Sequence, residues 1–452
     1  MEGSDRTVAS GQAVDFNQIP MNRFIRRLTF LSAMGLFLDG YDLTIISVAL
    51  LFVKSQFQPS PYMVGLVGSA AVVGMLLGSL IFGNLTDRFG RRTMYLLDLL
   101  FFVVFSILAA CSQNMVELIL FRFLLGIGLG ADYPISSTLT AEFAPTRKRG
   151  VLMVTTIGFW TVGAIVSYLV SLLLLQTGPD AWRFMLASGA IPALLVMWGR
   201  RTIPESPRWL IAKGETAKGM AVADQIATDA GVRLNHQDNA GMPTQTGSGR
   251  ASFARLFQKD ILRMTIFASL TWFLFDVGNY ATIVFTPTIF KAIKGSTITS
   301  SVLASTALQA IGLVGIAIVW LLVDRWGRKR LQVWGFLGLG IIFIVTGLLH
   351  QPSFSLFLSL FLILSIVDQG PGQLTYVYAG EVFPTTVRAT GHGVATASSR
   401  VGALLGILVL PIFMAHVGLS AALIVFGILD LIGMGLTLWL APEPKGQDLP
   451  NG

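Results

Sequence analysis

Two aspartates lie in the middle of the first long apolar stretch of the chain. Asp39 and Asp42 are three residues apart, so on a helix their side chains are neighbours about one turn apart. A charged carboxylate in hydrocarbon must face a wet cavity, form an ion pair or bind a proton. Two carboxylates this close repel each other, which favours proton uptake by one of them. The pair predicts a proton-coupling site; the alternative is that each aspartate holds a neighbouring helix by a hydrogen bond.

Two arginines, Arg122 and Arg400, also fall inside apolar stretches. Asp132 follows Arg122 in the same stretch, but on a helix the two lie about 15 Å apart along the axis, too far to pair. We expect Arg122 to reach the carboxylates at Asp39 and Asp42 instead. An anionic solute could compete for either arginine, or the ion pair could be permanent and only pack the helices.

An aromatic and acidic stripe stands in the second half of the chain. Trp272, Asp276 and Tyr280 follow one another at intervals of four residues, so they line one face of a helix. An acceptor between two aromatic rings suits a polar solute that can donate a hydrogen bond. Packing is the usual role of aromatic residues at helical spacing, but the central aspartate favours solute binding.

The composition excludes most other classes of protein. Only 12% of the 452 residues are charged and 53% are hydrophobic, about half the charged fraction of a soluble protein. The single cysteine and four scattered histidines predict no metal site, and no nucleophile–base pair or nucleotide loop indicates an enzyme or a cofactor. The chain therefore belongs in a lipid bilayer.

Apolar windows of about 20 residues predict membrane-spanning helices. We expect twelve, in two pseudo-symmetric six-helix bundles, near 28–53, 62–85, 93–113, 117–142, 151–175, 183–203, 264–290, 298–323, 330–349, 353–380, 389–415 and 419–441. The predicted domains are an N-terminal tail, the first bundle, a linker, the second bundle and a C-terminal tail, at 1–27, 28–203, 204–263, 264–441 and 442–452.

The positions of the basic residues predict the orientation. Of the 32 lysines and arginines, 26 fall in the two tails and in alternate loops on one side, with Arg200 counted among those of the linker. The positive-inside rule places that side, and both termini, in the cytoplasm of a cell-membrane protein. The net charge of +8 is thus accounted for without a nucleic acid partner. We expect a monomer in the bilayer.

Several motifs recur between the two predicted bundles. The run Asp87–Arg92 recurs 237 residues later as Asp324–Lys329, and Glu142 with Arg149 recurs as Glu381 with Arg388. Such internal repeats are how many secondary transporters are built, with the solute site between the halves. Ion pairs among the repeated charges could form a cytoplasmic gate, whose candidate members are Asp87, Arg88, Arg91, Arg92, Glu142, Arg149, Asp324, Arg325, Arg328, Glu381 and Arg388; topogenic charge alone is the alternative.

The chain resembles the major facilitator superfamily over essentially its whole length. The loop Gly83–Arg92 matches the family motif G-x-x-x-D-R-x-G-R-R, and Pro204–Leu210 and Pro442–Gly446 are similar to motifs of its sugar porters, organic-ion carriers and phosphate:proton symporters. The stretches Asp39–Asp42, Gly130–Pro134 and Trp272–Asp276 resemble the phosphate symporters most closely.

The resemblance to the phosphate symporters implies roles for individual residues. Solute contacts are expected at Tyr133, Trp272, Asp276 and Tyr280, and the proton path at Asp39, Asp42 and Asp132. Two departures matter: Trp160 stands where those symporters have a solute-binding glutamine, and Gly372 replaces an asparagine. A solute with apolar surface that stacks on Trp160 could therefore replace phosphate, with Arg400 as an additional solute contact.

These observations together predict a secondary active transporter. The favoured hypothesis is proton-coupled uptake of a small polar or anionic metabolite by alternating access, with the solute and protons as partners. A sugar or phosphate uptake carrier and a proton-coupled efflux antiporter are alternatives, although the fifth span lacks the Gly-Pro pair that marks antiporters of this superfamily. A non-transporting receptor would need a signalling domain, for which the short C-terminal tail gives little room.

Overall fold

The computed structural model describes residues 13–14, 21–143, 149–234, 253–384 and 387–443, and these are almost entirely helical. Eleven helical segments in this part of the chain are long and apolar enough to cross a membrane. The helix that contains Arg122 and Asp132, Met115–Phe143, completes the predicted order of twelve. The apolar windows of the sequence thus locate every pass to within a few residues.

The first half of the chain, called the N-half below, makes six passes. Its helices are α1 (Arg23–Phe57), α2 (Pro61–Phe89), α3 (Arg91–Ala110), α4 (Met115–Phe143), α5 (Arg149–Leu174), α6 (Ala181–Ser188) and α7 (Ala190–Arg200). The last two form one span that is interrupted at Gly189. Helix α1 packs on α5, α2 on α4, and α3 on both α4 and α7.

The described residues of the N-terminal tail and of the first part of the linker contact each other and the N-half. Helices α8 (Pro207–Ala212) and α9 (Thr216–Asp229) follow α7, and strand β1 (Ala13–Val14) pairs in parallel with β2 (Arg233–Leu234). Asn22 caps α1 by accepting from the backbone N–H of Ile25 at 2.8 Å, and its amide donates to the carbonyl of Ile226 in α9 at 3.0 Å. One side chain thus joins the start of the first span to the linker.

The second half, the C-half, repeats the packing of the first. Its helices are α10 (Lys259–Lys291), α11 (Ile298–Trp326), α12 (Arg328–Leu348), α13 (Phe354–Glu381), α14 (Arg388–His416) and α15 (Leu419–Leu440). Its first helix packs on its fifth, its second on its fourth, and its third on its fourth and sixth. These are the pairs found in the N-half, as the sequence repeat predicts.

Glycines allow the helices within a half to approach closely. A Cβ added at Gly126 of α4 would lie 2.1 Å from the carbonyl oxygen of Ala71 in α2, and one at Gly130 would lie 2.1 Å from that of Met75. Small residues at helix interfaces permit such backbone contact in membranes. The glycine run in α4 is therefore a packing surface.

The two halves share an apolar core at one end of the molecule, whereas the described residues at the other end form no apolar cluster common to both halves. We call the end that carries α8 and α9 the linker end, and the opposite end the far end. Val67 of α2 belongs to one continuous apolar cluster with Val284 of α10 and Ile407 of α14, toward the far end. At the linker end, the described residues of each half form an apolar cluster of their own. The structure is thus closed at the far end.

A glutamate after the last span of each half caps the third helix of that half. Glu205 accepts from the backbone N–H of Arg91 at 2.9 Å and from that of Arg92 at 3.1 Å. Glu443, 238 residues later, accepts from the N–H groups of Arg328 and Lys329, both at 3.1 Å. A carboxylate at a helix N-terminus accepts hydrogen bonds from N–H groups that have no partner within the helix. Its negative charge also interacts favourably with the helix dipole.

Candidate functional site

A buried ion pair joins the first and fourth helices of the N-half. Both guanidinium nitrogens at the end of Arg122 donate to the carboxylate of Asp42, at 3.1 and 3.0 Å. The side chains are 0% and 4% exposed, so water does not screen the interaction. The sequence expectation that Arg122 reaches a carboxylate of the first span is correct, and the structure selects Asp42. Asp39 and Asp42 therefore differ in their partners, and the two are not an isolated carboxylate pair.

Asp39 contacts the fifth helix instead. The indole N–H of Trp160 donates to its carboxylate at 3.1 Å. The contact depends on close approach of α1 and α5, because a Cβ at Gly40 would lie 2.0 Å from the carbonyl oxygen of Trp160 and one at Gly163 would lie 2.0 Å from that of Phe37. Trp160, which resemblance alone placed at the solute site, thus holds one of the candidate proton-coupling residues.

The corresponding helices of the C-half hold the second acidic group. Ser399 of α14 donates to the carboxylate of Asp276 in α10 at 2.5 Å, and Arg400 donates to the hydroxyl of Tyr280. The guanidinium of Arg400 also lies over the ring of Tyr280. Two residues that the sequence placed on one face of α10 are thus each held by a neighbour on α14.

These two groups meet where the halves face each other. The charges of Asp39 in the N-half and of Asp276 and Arg400 in the C-half all interact with the hydroxyl of Tyr280. Helices α1 and α10 pack against each other, so the first helix of each half contributes to the same region. We call Asp39, Trp160, Asp276, Tyr280 and Arg400 the central group.

The carboxylates in and beside the central group are buried in this conformation, whereas Trp160, Tyr280 and Arg400 are half-buried. Asp39, Asp42 and Asp276 are only 1%, 3% and 2% exposed. Of the alternatives open to a carboxylate in an apolar stretch, this conformation shows hydrogen bonds at Asp39 and Asp276 and an ion pair at Asp42.

Trp272 lies in an aromatic cluster beside the central group. Its ring meets those of Tyr376 and His392 edge to face, each at 6.0 Å between centroids, and the latter two rings are 5.0 Å apart. Thr396 bonds the Nδ1 atom of His392 at 3.2 Å. Tyr376, on α13, carries no motif that could have identified it from the sequence.

Asp132 lies apart from the central group, in a second buried charge cluster. Arg200 contacts it at 2.6 Å, contacts Asp98 at 3.2 Å and lies 3.5 Å from the ring centroid of Tyr95. Arg200, which the sequence counts with the charges of the linker, is 0% exposed, so its side chain is directed into the bundle. The buried guanidinium is compensated by two carboxylates, one on α3 and one on α4. The sequence around Arg200 gives no sign of these partners.

Asp98, Asp368 and Asp430 are buried or half-buried acidic residues to which the sequence assigned no role. Asp98 shares Arg200 with Asp132. Asp368 on α13 accepts from the amide of Asn279 on α10 at 2.8 Å. Asp430 on α15 is 3% exposed. Only their position inside apolar stretches marks them in the sequence.

The structure describes part of the candidate cytoplasmic gate. Arg328 pairs with Glu381 within the C-half at 3.3 Å, while Arg91, Arg92 and Arg325 lie at the same linker end. The side chains of Tyr133 and of the remaining gate candidates lie outside the described residues: Asp87, Arg88, Glu142, Arg149, Asp324 and Arg388. Gating by these charges stays a prediction.

Within the described ranges, no group of three histidine, cysteine or acidic side chains is placed to hold a metal ion. The polar atoms of the central group are the carboxylate oxygens of two aspartates, one indole N–H, one phenolic hydroxyl and one guanidinium. Such a set can bind a hydroxylated or charged small molecule and can exchange protons.

Comparison with known proteins identifies the chain's relatives. A family model described as "Sugar (and other) transporter" matches residues 28–451. The chain is 31% identical over 442 residues to the inner membrane metabolite transport protein YgcS of Escherichia coli (strain K12), covering 96% of this chain and 95% of that protein. It is 29% identical over 446 residues to the arabinose-proton symporter of Bacillus subtilis (strain 168), covering 94% of each.

The fold also matches solved structures. The partially occluded inward open conformation of the xylose transporter XylE from E. coli superimposes with a TM-score of 0.80 at 23% identity, covering 94% of this chain and 100% of that one. The twelve-helix fold of two pseudo-symmetric bundles expected from the sequence is thereby confirmed.

Proposed function

The chain belongs to the family of sugar and other transporters, and from this we propose that it carries a small polar metabolite across the membrane together with protons, in the direction of uptake. Its relatives include a protein named as a proton symporter. The observation that carries the proposal is the buried Asp42–Arg122 pair, one helical turn from Asp39 in the central group. The chain is a transporter and a multi-pass membrane protein, not an enzyme.

The ion pair supplies a means of coupling. When Asp42 binds a proton, Arg122 loses its charged partner while it is still buried. Leaving one member of a buried pair uncompensated is unfavourable by about 3–5 kcal/mol. Conformations in which water or solute reaches the arginine are then favoured, which links proton binding to movement of the halves. Asp39 and Asp132 are the other proposed proton-path residues of the N-half.

The central group is the proposed solute site. Trp160 and Tyr280 provide ring faces, Asp39 and Asp276 provide acceptors, and Arg400 provides donors. Such a mixture of convergent polar groups and aromatic surface is typical of sites for small molecules. Trp272 and Tyr133 are proposed to flank the site, on the resemblance stated above.

Alternating access explains the arrangement of the two halves. The positive-inside rule places the linker end and both termini in the cytoplasm, so the closed far end faces outward. The structure then corresponds to an inward-facing or occluded carrier. We propose that a monomer in the cell membrane completes the cycle by rocking one half against the other.

The test is uptake into proteoliposomes driven by a pH gradient. A thermal-shift screen against sugars, phosphate, aromatic acids and vitamins first identifies a solute that stabilises the purified protein. Asp42→Asn is expected to abolish accumulation of that solute against its gradient while exchange of labelled for unlabelled solute continues, because binding does not require the proton cycle.

The matched control is Asp180→Asn, which changes an aspartate in an exposed ion pair with Arg183 and should accumulate solute like the unmodified protein. If Asp42→Asn accumulates solute at the normal rate and level, proton coupling through this pair is wrong. Solute export on imposing an inward pH gradient would instead identify an antiporter.

A further inference from the structure

A cleft at the linker end is not used by the proposed transport cycle. It has a volume of about 410 Å³ and lies between the start of α1, the start of α3, the connection from α7 to α8, and α9. Small-molecule sites in proteins commonly have volumes of about 300–1,000 Å³. All of the lining residues belong to the N-half or to the part of the linker that packs on it. The cleft is therefore separate from the central group, which both halves form.

The lining of this cleft is strongly basic. Four arginines line it, whereas Asp229 on α9 is its only acidic residue. Arg23 and Arg27 are four residues apart on α1, so they lie on one face of that helix. Arg92 belongs to the first turn of α3, and Arg201 directly follows α7. We call the cleft lined by these four residues the arginine cleft.

The arginines of the cleft have few partners within the protein. The guanidinium of Arg92 donates to the backbone carbonyl of Arg201 at 3.0 Å. Among the described residues, the side chains of Arg23, Arg27 and Arg201 form no hydrogen bond and no ion pair. The carboxylate of Glu205 accepts from backbone N–H groups of α3 instead. Cations that converge without counter-charges repel each other, and a bound anion relieves that repulsion.

The orientation of the protein in the membrane does not by itself explain this convergence. The positive-inside rule favours basic residues at the cytoplasmic ends of spans, but it does not require them to face one another. Arg26 illustrates the difference, because it is exposed on α1 and does not line the cleft. The four arginines of the cleft come from three segments that are far apart in the sequence. Their convergence on one concave surface is thus a property of the fold.

The chemistry of the lining suits a phosphate group. Arginine binds phosphate through pairs of parallel N–H donors, and these charge-assisted hydrogen bonds are stronger than neutral ones. Thr202, Gln225 and Asp229 add polar groups for hydroxyls next to the phosphate, and Phe24 adds apolar surface. Arg27 immediately precedes the first apolar stretch, which places the cleft near lipid headgroups. Basic pockets at the cytoplasmic ends of membrane helices bind anionic headgroups.

We propose that the arginine cleft is a binding site for a phosphate group, carried by the headgroup of an anionic phospholipid or by a soluble metabolite. The phosphate oxygens accept hydrogen bonds from Arg23 and Arg27 on α1 and from Arg92 and Arg201. The bound anion joins α1, α3 and the linker, which all belong to one side of the carrier, so it stabilises the N-half throughout the cycle. Without the anion, the exposed arginine side chains contribute little to stability. The proposal does not depend on the proposed proton coupling.

The experiment is thermal unfolding of the full-length protein, purified in a non-ionic detergent and titrated with two probes. The first probe is phosphatidylglycerol, compared with phosphatidylcholine, whose headgroup has no net charge. The second is glycerol 3-phosphate, compared with potassium chloride at the same ionic strength. At least one probe is expected to raise the midpoint of unfolding, and its concentration dependence gives a Kd. A response to the lipid alone identifies a headgroup site, and a response to glycerol 3-phosphate identifies a site for soluble phosphates.

The variant that tests the cleft is Arg27→Gln. It is expected to raise the Kd about fivefold, which is the effect of losing one partly exposed charged contact. The matched control is Arg26→Gln, which removes the same charge from the neighbouring position of α1, outside the lining, and should keep the original Kd. Arg201→Gln repeats the test from a second segment and serves if Arg27→Gln does not fold.

The proposal is overturned if neither probe raises the midpoint of unfolding. It is also overturned if Arg26→Gln weakens binding as much as Arg27→Gln, because the effect is then one of net charge. A probe that binds only at the central group keeps its Kd in both Arg27→Gln and Arg201→Gln, and that result contradicts the proposal as well. Asp42→Asn is expected to bind the anion like the unmodified protein, so failure of coupling through Asp42 is distinguishable from failure of this proposal.

Discussion

Individual residues of the central group are held by partners on other helices. Trp160 illustrates this, because its indole N–H donates a hydrogen bond to Asp39. The resemblance to the phosphate symporters indicated only that its ring could stack on a solute. The hydrogen bond fixes the ring and the carboxylate together. A solute that binds there therefore meets a prearranged acceptor, which lowers the conformational entropy lost on binding.

This arrangement predicts the effect of replacing Trp160 by phenylalanine. Trp160→Phe keeps an aromatic ring but removes the N–H donor. A hydrogen bond to a charged group contributes about 1.5–3 kcal/mol, so the Kd of a solute found in the screen is expected to rise about 10- to 100-fold. The measurement is a solute titration of the purified protein.

The control for this change is Trp198→Phe, since the Trp198 side chain is 72% exposed on the surface of α7. It should leave the Kd unchanged. An unchanged Kd in Trp160→Phe would show that the hydrogen bond to Asp39 is not part of solute binding.

Whole helices in the N-half are joined by one buried arginine. Arg200, at the end of α7, donates to the carbonyl of Leu31 in α1 at 3.3 Å and to that of Tyr95 in α3 at 3.2 Å. Its ion pairs with Asp98 and Asp132 add a second contact to α3 and one to α4. A single guanidinium thus fixes the relative positions of four helices.

Removal of this guanidinium should destabilise the N-half. Arg200→Ala leaves two carboxylates buried without their cation, and breaking a buried pair in this way costs about 3–5 kcal/mol. The expected result is a clear decrease in the midpoint of thermal unfolding in detergent. Arg201→Ala is the matched control, because the adjacent arginine is exposed and offers only its backbone carbonyl to Arg92. Equal midpoints for the two variants would contradict the structural role of Arg200.

At the scale of the whole molecule, the contact between α2 and α14 closes the far end. A Cβ at Gly65 would lie 2.5 Å from the carbonyl oxygen of Leu408, so only glycine permits this approach. The two halves therefore meet along a surface that a single methyl group disrupts. Such a surface is suited to opening and closing without large changes inside either half.

Gly65→Ala is accordingly expected to shift the carrier toward a state that is open at the far end. Spin labels at the exposed residues Tyr62 and Val417, in a chain whose only cysteine is replaced by serine, report the separation by pulsed electron resonance. The population with the longer distance should increase. Gly435→Ala, where an added Cβ meets no atom within 4 Å, should leave the distribution unchanged, and an unchanged distribution in Gly65→Ala would refute the expectation.

The sequence predicts the fold much better than the site. The membrane spans can be predicted because apolar windows and the distribution of charge are read directly along the chain. The recurrence of the Asp87–Arg92 motif predicts the symmetry between the two halves. The Asp42–Arg122 pair is also foreseeable, since both charges stand in apolar stretches. The burial of Arg200 is not, because it depends on Asp98 and Asp132, which are about 100 and 70 residues away along the chain. Which residues form the site depends on which faces of different helices contact each other. The spacing of residues within one helix does not determine those contacts.

The attachment of the N-terminal tail to the linker determines where a reporter of motion should be placed. Because β1 pairs with β2 and Asn22 is bonded to Ile226, a fluorophore attached at Val14 is expected to travel with the first bundle. Energy transfer between such a fluorophore and one on α9 would stay constant throughout the cycle. A sensor built from this carrier therefore needs its second dye beyond Lys259, on the bundle that moves relative to the tail.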